Sequence, residues 1–179
     1  HHLWRLDRGD YGWLTPAQGV IYRDYTLGDL TPLLASAGVE ATVLVQAAPT
    51  RAETEFLLQV AEASLGVVRG VVGWADLAAR EAIPALGDLA GKPLLKAIRP
   101  MLQDLPDPEW IRREDVVHAL RALPALGLRF DALVRTRELP ALLRRDPELE
   151  RQYHEVRRAG LANLEAILRH FAAAGVLDI

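Results

Sequence analysis

The chain has 179 residues and a formal net charge of -3, with half its residues hydrophobic and a quarter charged, the balance of an ordinary globular domain. Acid and base are mixed along the sequence, which argues against a nucleic-acid partner, and the absence of cysteine excludes disulfides, thiol catalysis and thiolate metal sites. No apolar run reaches the length of a membrane span and no signal segment precedes the fold, so a cytoplasmic, bacterial protein without membrane contact is expected.

The chain opens His1-His2-Leu3-Trp4. Two leading histidines, taken alone, read as the remnant of a purification tag. The stretch from Trp4 to Leu14, W-R-L-D-R-G-D-Y-G-W-L, has neither helical nor strand period. Its aromatics either pack over a core or line a ligand pocket. A short helix is expected over Asp29–Ala37, ended by Gly38. Ala41–Ala47 is a β-branched apolar run of strand length, and Thr50 is placed to cap a helix over Ala52–Ser64. Val67–Trp74 reads as a second buried strand. Ala75–Leu89 is helical in composition with a break at Pro84.

Leu94–Ile98 is the next strand, stopped by Arg99-Pro100. The loop that follows carries Gln103 and is punctuated by Pro106 and Pro108. An arginine and a glutamine at the carboxyl end of a buried strand mark a candidate site, because ligands bind at that edge in α/β folds. The alternative is that Arg99 pairs with a carboxylate such as Asp104 and only ties down the loop. Arg113–Leu126 forms an amphipathic helix stopped by Gly127, and Leu128–Val134 is a further strand.

Strand and helix alternate at the spacing of βαβ units. Counting a strand just ahead of His1, five units of a parallel sheet are expected, with apolar runs that suit burial on both faces. Parallel strands point the same way, so their ends converge on one rim. Those ends carry His2, Gln46, Trp74 with Asp76, Arg99 with Gln103, and Asp131 with Arg135. After Arg137 the pattern changes. Glu138–Arg144 reads as a fifth helix, and a long amphipathic helix is expected over Glu148–Ala174. Its apolar stripe suits a core or a partner helix better than a cofactor site. His118, His154 and His170 lack the spacing of a zinc helix.

Taken together, H-L-W at His2–Trp4, R-L-D-R-G-D-Y-G-W-L, V-L-V-Q-A-A-P-T with Glu53, G-V-V-G-W-A-D-L, I-R-P-M-L-Q-D and L-R-F-D-A-L-V resemble the amidohydrolase-related lactonases, of the L-fuconolactonase and 2-pyrone-4,6-dicarboxylate lactonase type. The resemblance covers roughly residues 2–145. It implies an α/β fold: part of a (β/α)8 TIM-type barrel of the metal-dependent hydrolase superfamily, about five β/α units plus a helical tail over 146–179. It also implies hydrolysis of a sugar lactone or related cyclic ester, with a divalent metal, usually zinc, in some members and none in others. His2 aligns with the second histidine of the family's Asp-x-His-x-His motif, as a catalytic or metal-binding residue. The first histidine of that motif would precede His1. The histidine and aspartate of the family's later strands have no counterpart here. Arg99 and Gln103 become the expected anchors for substrate carboxylate or hydroxyl groups. Gln46, Trp74 and Asp131 are further substrate-binding candidates, and Trp4 and Trp13 either form an apolar wall or close the barrel mouth. The other reading is a non-catalytic half-barrel that self-associates, or binds a partner, through its open sheet and tail helix.

Overall fold

Four short parallel strands, β1 (Thr42–Val45), β2 (Val68–Gly73), β3 (Leu95–Ile98) and β4 (Arg129–Phe130), lie in the order in which the chain meets them. Such sequential winding belongs to a barrel; a doubly wound sheet reverses direction at a switch point. The helices are α1 (Leu27–Ser36), α2 (Arg51–Ala63), α3 (Ala82–Ala90) and α4 (Glu114–Ala122). The computed structural model describes residues 1–144 together with Arg151 and Arg158. It divides into two units, residues 1–135 and 136–179. Within the second, α5 (Leu139–Leu143) buries Ala141, Leu142 and Leu143, where the fifth helix is expected. The long helix expected over Glu148–Ala174, with His154 and His170, lies outside the described residues except for Arg151 and Arg158.

The sheet is apolar because β1, β2 and β3 are each sandwiched at their centres. Leu44, Val71 and Ile98 are fully buried, as are Leu57 of α2 and Leu86 of α3. α2 packs on β1 and β2. There Gly73 permits the approach, since a Cβ at this position would lie 2.5 Å from Thr54 Cγ2. The Thr54 hydroxyl donates to the Trp74 carbonyl at 2.9 Å and accepts from the Trp74 N–H at 2.7 Å, so helix and strand end are locked together. His1 extends the sheet beyond β1. Its nitrogen donates to the Val43 carbonyl at 2.8 Å, and Val45 N–H donates to the His1 carbonyl at 2.8 Å, bracketing Leu44 as a parallel ladder does. Among the described residues the expected first strand is represented by His1 alone.

Several boundaries differ from expectation for identifiable reasons. α1 begins at Leu27, two residues early, because Thr26 and Asp29 form a reciprocal capping box. Pro84 opens α3 in its first turn, where its missing N–H costs nothing, so it does not break a longer helix. Pro124 ends α4 at Ala122 and starts a separate 3-10 turn, Pro124–Leu126. β4 has two residues where a longer strand over Leu128–Val134 is expected. Among the described residues it pairs with β3 alone, and it stops where β3 stops, at Ile98 opposite Phe130.

A second, smaller apolar cluster gathers Tyr11, Leu14, Ala47 and Ala48 beneath Trp4, Leu6 and Ile21. It is held by Glu53, which is 0% exposed. The carboxylate accepts from the Tyr11 hydroxyl at 2.7 Å and from the Ala47 N–H at 3.0 Å. Arg8, stacked over the Phe56 ring and ion-paired with Asp10, approaches it at 3.6 Å. Trp13 Nε1 donates to the Ala47 carbonyl at 2.8 Å. The Ala47 residue is thus held on both sides, its N–H by a helix and its carbonyl by a loop. Burial pushes the Glu53 carboxyl upward, opposed by the Tyr11 and Ala47 hydrogen bonds and the Arg8 charge. Burial, and then the same carboxylate, push the Tyr11 phenol up.

Glu53→Ala therefore strands two buried donors and Arg8, and is expected to lower stability by about 3–5 kcal/mol. Glu55→Ala, removing an exposed partner of Arg51, should stay within about 0.5 kcal/mol. Urea midpoints of the two variants check the contrast. A pH effect follows from Asp29, whose carboxyl is held down at about 2 by hydrogen bonds from Thr26, first its hydroxyl and then its N–H, and from Arg23. A depressed folded-state pKa means a contribution that is complete above the ordinary value of 3.8 and fades as pH falls toward 2. The urea midpoint of Asp29→Asn should lie below that of the parent at neutral pH and converge on it in acid.

Candidate functional site

The carboxyl ends of β1 and β3, together with the Trp4–Trp13 loop, enclose a pocket of about 400 Å³, within the range of small-molecule sites. His2, Gln46, Arg99, Gln103 and Asp104 supply its polar lining, and Trp4 and Trp13 an apolar wall. The two indoles meet edge to face with centroids 5.6 Å apart, and Trp4 packs in turn on Tyr25 at 4.8 Å. Main-chain bonds between Trp4 and Tyr25 in both directions, at 3.0 and 2.9 Å, fasten the start of this loop to the segment just ahead of α1. A larger cleft of about 590 Å³ lies at the other end of β4 and is lined mainly by apolar residues such as Leu120, Leu123 and Phe130.

His2 stands at the rim with Nδ1 2.8 Å from the Val45 carbonyl. A carbonyl only accepts, so Nδ1 carries the proton and Nε2 keeps its lone pair. Partial burial, and then the neighbouring Arg99 charge, hold the imidazole below its usual range, against the pull of the Val45 and Gln46 backbone. His2 is therefore neutral at neutral pH, the form of a base or a ligand.

Gln46 is fully buried at the end of β1. Its Nε2 donates to the Arg99 carbonyl at 2.8 Å, joining the ends of β1 and β3. That bond fixes the amide's orientation, and the buried Oε1 accepts nothing from the protein. Arg99 is half-buried, and its buried Nε also lacks a partner. Burial lowers the guanidinium pKa, with the Asp131 charge opposing. The alternative pairing of Arg99 with Asp104 is not what forms: Asp104 lies 3.7 Å from Arg135 and accepts from Gln103 Nε2 at 2.9 Å.

Trp74 and Asp131 do not line this pocket. Trp74 is held through its backbone by Thr54, while Asp131 donates its N–H to the Ile98 carbonyl at 3.0 Å and acts on Arg99 through charge. Asp76 and His118 are exposed. Tyr11, Arg8 and Glu53 shape the site without entering the expected list. One signal was available: Glu53 falls on the α2 stripe with Leu57 and Ala61, four and eight positions on. A carboxylate in an apolar stripe demands buried donors.

The described residues do not by themselves complete a divalent-metal site. A catalytic zinc takes about three protein ligands, and no cluster of three His, Cys, Asp or Glu exists among them. His2 contributes one imidazole, and its neighbour Arg99 repels a cation.

The amidohydrolase family model matches residues 1–172. The L-fucono-1,5-lactonase of Burkholderia ambifaria is 45% identical over 151 residues, 83% of this chain and 52% of that protein. The L-fucono-1,5-lactonase of Burkholderia multivorans is 34% identical over 140 residues, 78% of this chain and 47% of that protein. An amidohydrolase of Burkholderia multivorans, solved with bound zinc, superposes with a TM-score of 0.71 at 34% identity, covering 79% of this chain and 49% of that one. A probable 2-pyrone-4,6-dicarboxylic acid hydrolase from Acinetobacter baumannii, solved with citric acid, shares the fold at a TM-score of 0.59 and 16% identity, covering 83% of this chain and 52% of that one. The chain spans about half the length of the curated relatives it matches. With four sequentially wound strands forming part of a TIM-type barrel and a family match over most of its length, this chain belongs to the amidohydrolase family.

Proposed function

We propose that the chain carries the substrate pocket of a lactone hydrolase acting on a small polar cyclic ester, of the kind named in its L-fucono-1,5-lactonase relatives. The observation that carries this reading is the convergence of a neutral His2, a half-buried Arg99 and the amides of Gln46 and Gln103 on one pocket walled by two indoles. Lactone hydrolysis needs a group to take a proton from water, a polariser for the carbonyl oxygen, and anchors for the ring. His2 Nε2 suits the first task because its proton sits on Nδ1 against Val45. Arg99 suits the second and third, since a guanidinium carries fixed charge and several donors. Gln46 and Gln103 anchor hydroxyl groups, and the indoles face the C–H surface of the ring. Asp131 tunes Arg99 from a distance, and Trp74 belongs to the strand-end scaffold. No helix among the described residues is long and apolar enough to cross a membrane.

A second reading is association of copies through the sheet, favoured by Val43, which is 43% exposed on β1. Sedimentation velocity separates the two: a monomer at every concentration removes the second.

Proton release from L-fucono-1,5-lactone tests the first. The chain should hydrolyse it, and His2→Ala should lower kcat by about 10²–10⁴-fold with KM little changed. Arg99→Ala should raise KM by about 10–100-fold, the worth of one charge-assisted hydrogen bond. Absence of both lactone binding and turnover in the parent would overturn the reading.

A further inference from the structure

Hydrolysis of a cyclic ester changes the charge of the ligand and keeps its atoms. The acyl carbon–ring oxygen bond breaks and a bond from the acyl carbon to the water oxygen forms. One water proton ends on the former ring oxygen as a hydroxyl, and the other leaves the new carboxylic acid to solvent at neutral pH. A neutral ligand thereby becomes an anion bearing a carboxylate and a hydroxyl.

Two buried groups on residues that line the pocket have no partner among the described residues, and they are opposite in kind. Arg99 Nε is a donor without an acceptor, and Gln46 Oε1 is an acceptor without a donor. Both residues line the same pocket. Gln46 cannot turn its amide to relieve the mismatch, because its Nε2 is committed to the Arg99 carbonyl at 2.8 Å. Among the described residues two carboxylates are near enough to matter, Asp104 in the pocket lining and Asp131 outside it, and neither forms a salt bridge with Arg99. Asp104 lies against Arg135 at 3.7 Å and accepts from Gln103, while Asp131 acts on Arg99 through charge without a salt bridge. Buried polar groups in native proteins are almost always paired, so an orphaned donor and an orphaned acceptor in one pocket describe the ligand that completes them.

Resting on the lactonase reading above, we propose that this pocket binds the ring-opened hydroxy acid more tightly than the neutral cyclic ester, its carboxylate on Arg99 and a hydroxyl donating to Gln46. The guanidinium fork meets both oxygens of a carboxylate, whereas a lactone carbonyl offers it one uncharged oxygen. The product is therefore a competitive inhibitor, and a reaction that consumes the hydroxy acid must follow if turnover is to continue.

The test compares two ligands of one shape, sodium L-fuconate and the corresponding primary amide, L-fuconamide, by titration calorimetry on the 179-residue chain. The acid anion should bind at least about tenfold tighter than the amide, the scale of a charge-assisted contact over a neutral one. In Arg99→Gln the ratio should fall toward one. Circular dichroism checks that the variant folds, and if it does not, Arg99→Lys carries the test through loss of the planar fork and a reduced ratio. Equal binding of acid and amide by the parent overturns the proposal and leaves the lactonase reading standing. An undiminished ratio in a folded Arg99 variant overturns the assignment to Arg99. Binding of neither ligand, together with no lactone turnover, overturns both.

Discussion

The buried carboxylate of Glu53 governs the shape of the site. An acidic group with no exposed surface must be surrounded by donors, because its desolvation is otherwise far more costly than any packing around it recovers. Those donors come from separate parts of the chain: the Tyr11 hydroxyl from the amino-terminal loop and the Ala47 N–H from the turn after β1, with Arg8 adding its charge. None can withdraw without leaving another buried group unpaired. The loop is consequently fixed to the end of β1, and Trp13 completes the clamp through the Ala47 carbonyl. A stretch without secondary-structure period thereby becomes a rigid wall, with Trp4 and Trp13 presented edge to face over the pocket.

The opposite side of the pocket follows a different logic. Gln46 ties the end of β1 to the Arg99 carbonyl across the intervening β2, so the strand ends form one rim. This link satisfies the Gln46 N–H group and the Arg99 carbonyl but leaves the amide oxygen and the guanidinium Nε unpaired. The fold is saturated around Glu53 and unsaturated at Arg99 and Gln46. That contrast between a completed network and an incomplete one is what the proposed site rests on, because a scaffold satisfies its own polar groups and a site keeps some for its ligand.

Much of the architecture was readable from local pattern. The apolar runs Ala41–Ala47, Val67–Trp74 and Leu94–Ile98 contain β1, β2 and β3, and α2 began at its Thr50 cap, because burial on both faces and capping chemistry are written in adjacent residues. Where local reading went astray, a neighbour was decisive. β4 is short because β3 ends beside it, and Pro84 begins α3 because a proline in the first turn has no bond to lose. The lining of the proposed pocket was legible in part. His2, Gln46, Arg99 and Gln103 sit at strand ends and do meet in one pocket, whereas Trp74 and Asp131, also at strand ends, are outside its lining. Strand-end position says that a residue reaches the rim and nothing about the direction its side chain takes.

The amino-acid sequence by itself determined the repeating βα order, the parallel sheet it requires, the absence of cysteine chemistry and the family resemblance, since each depends on residue type and spacing alone. Tertiary structure decided the partners. It sent Asp104 to Arg135 and not to Arg99, turned the His2 proton toward Val45, and recruited Tyr11 and Ala47 to Glu53 across 42 and 6 positions of sequence. Pairing of buried polar groups is settled by distance and direction in the folded chain, and no local pattern encodes either.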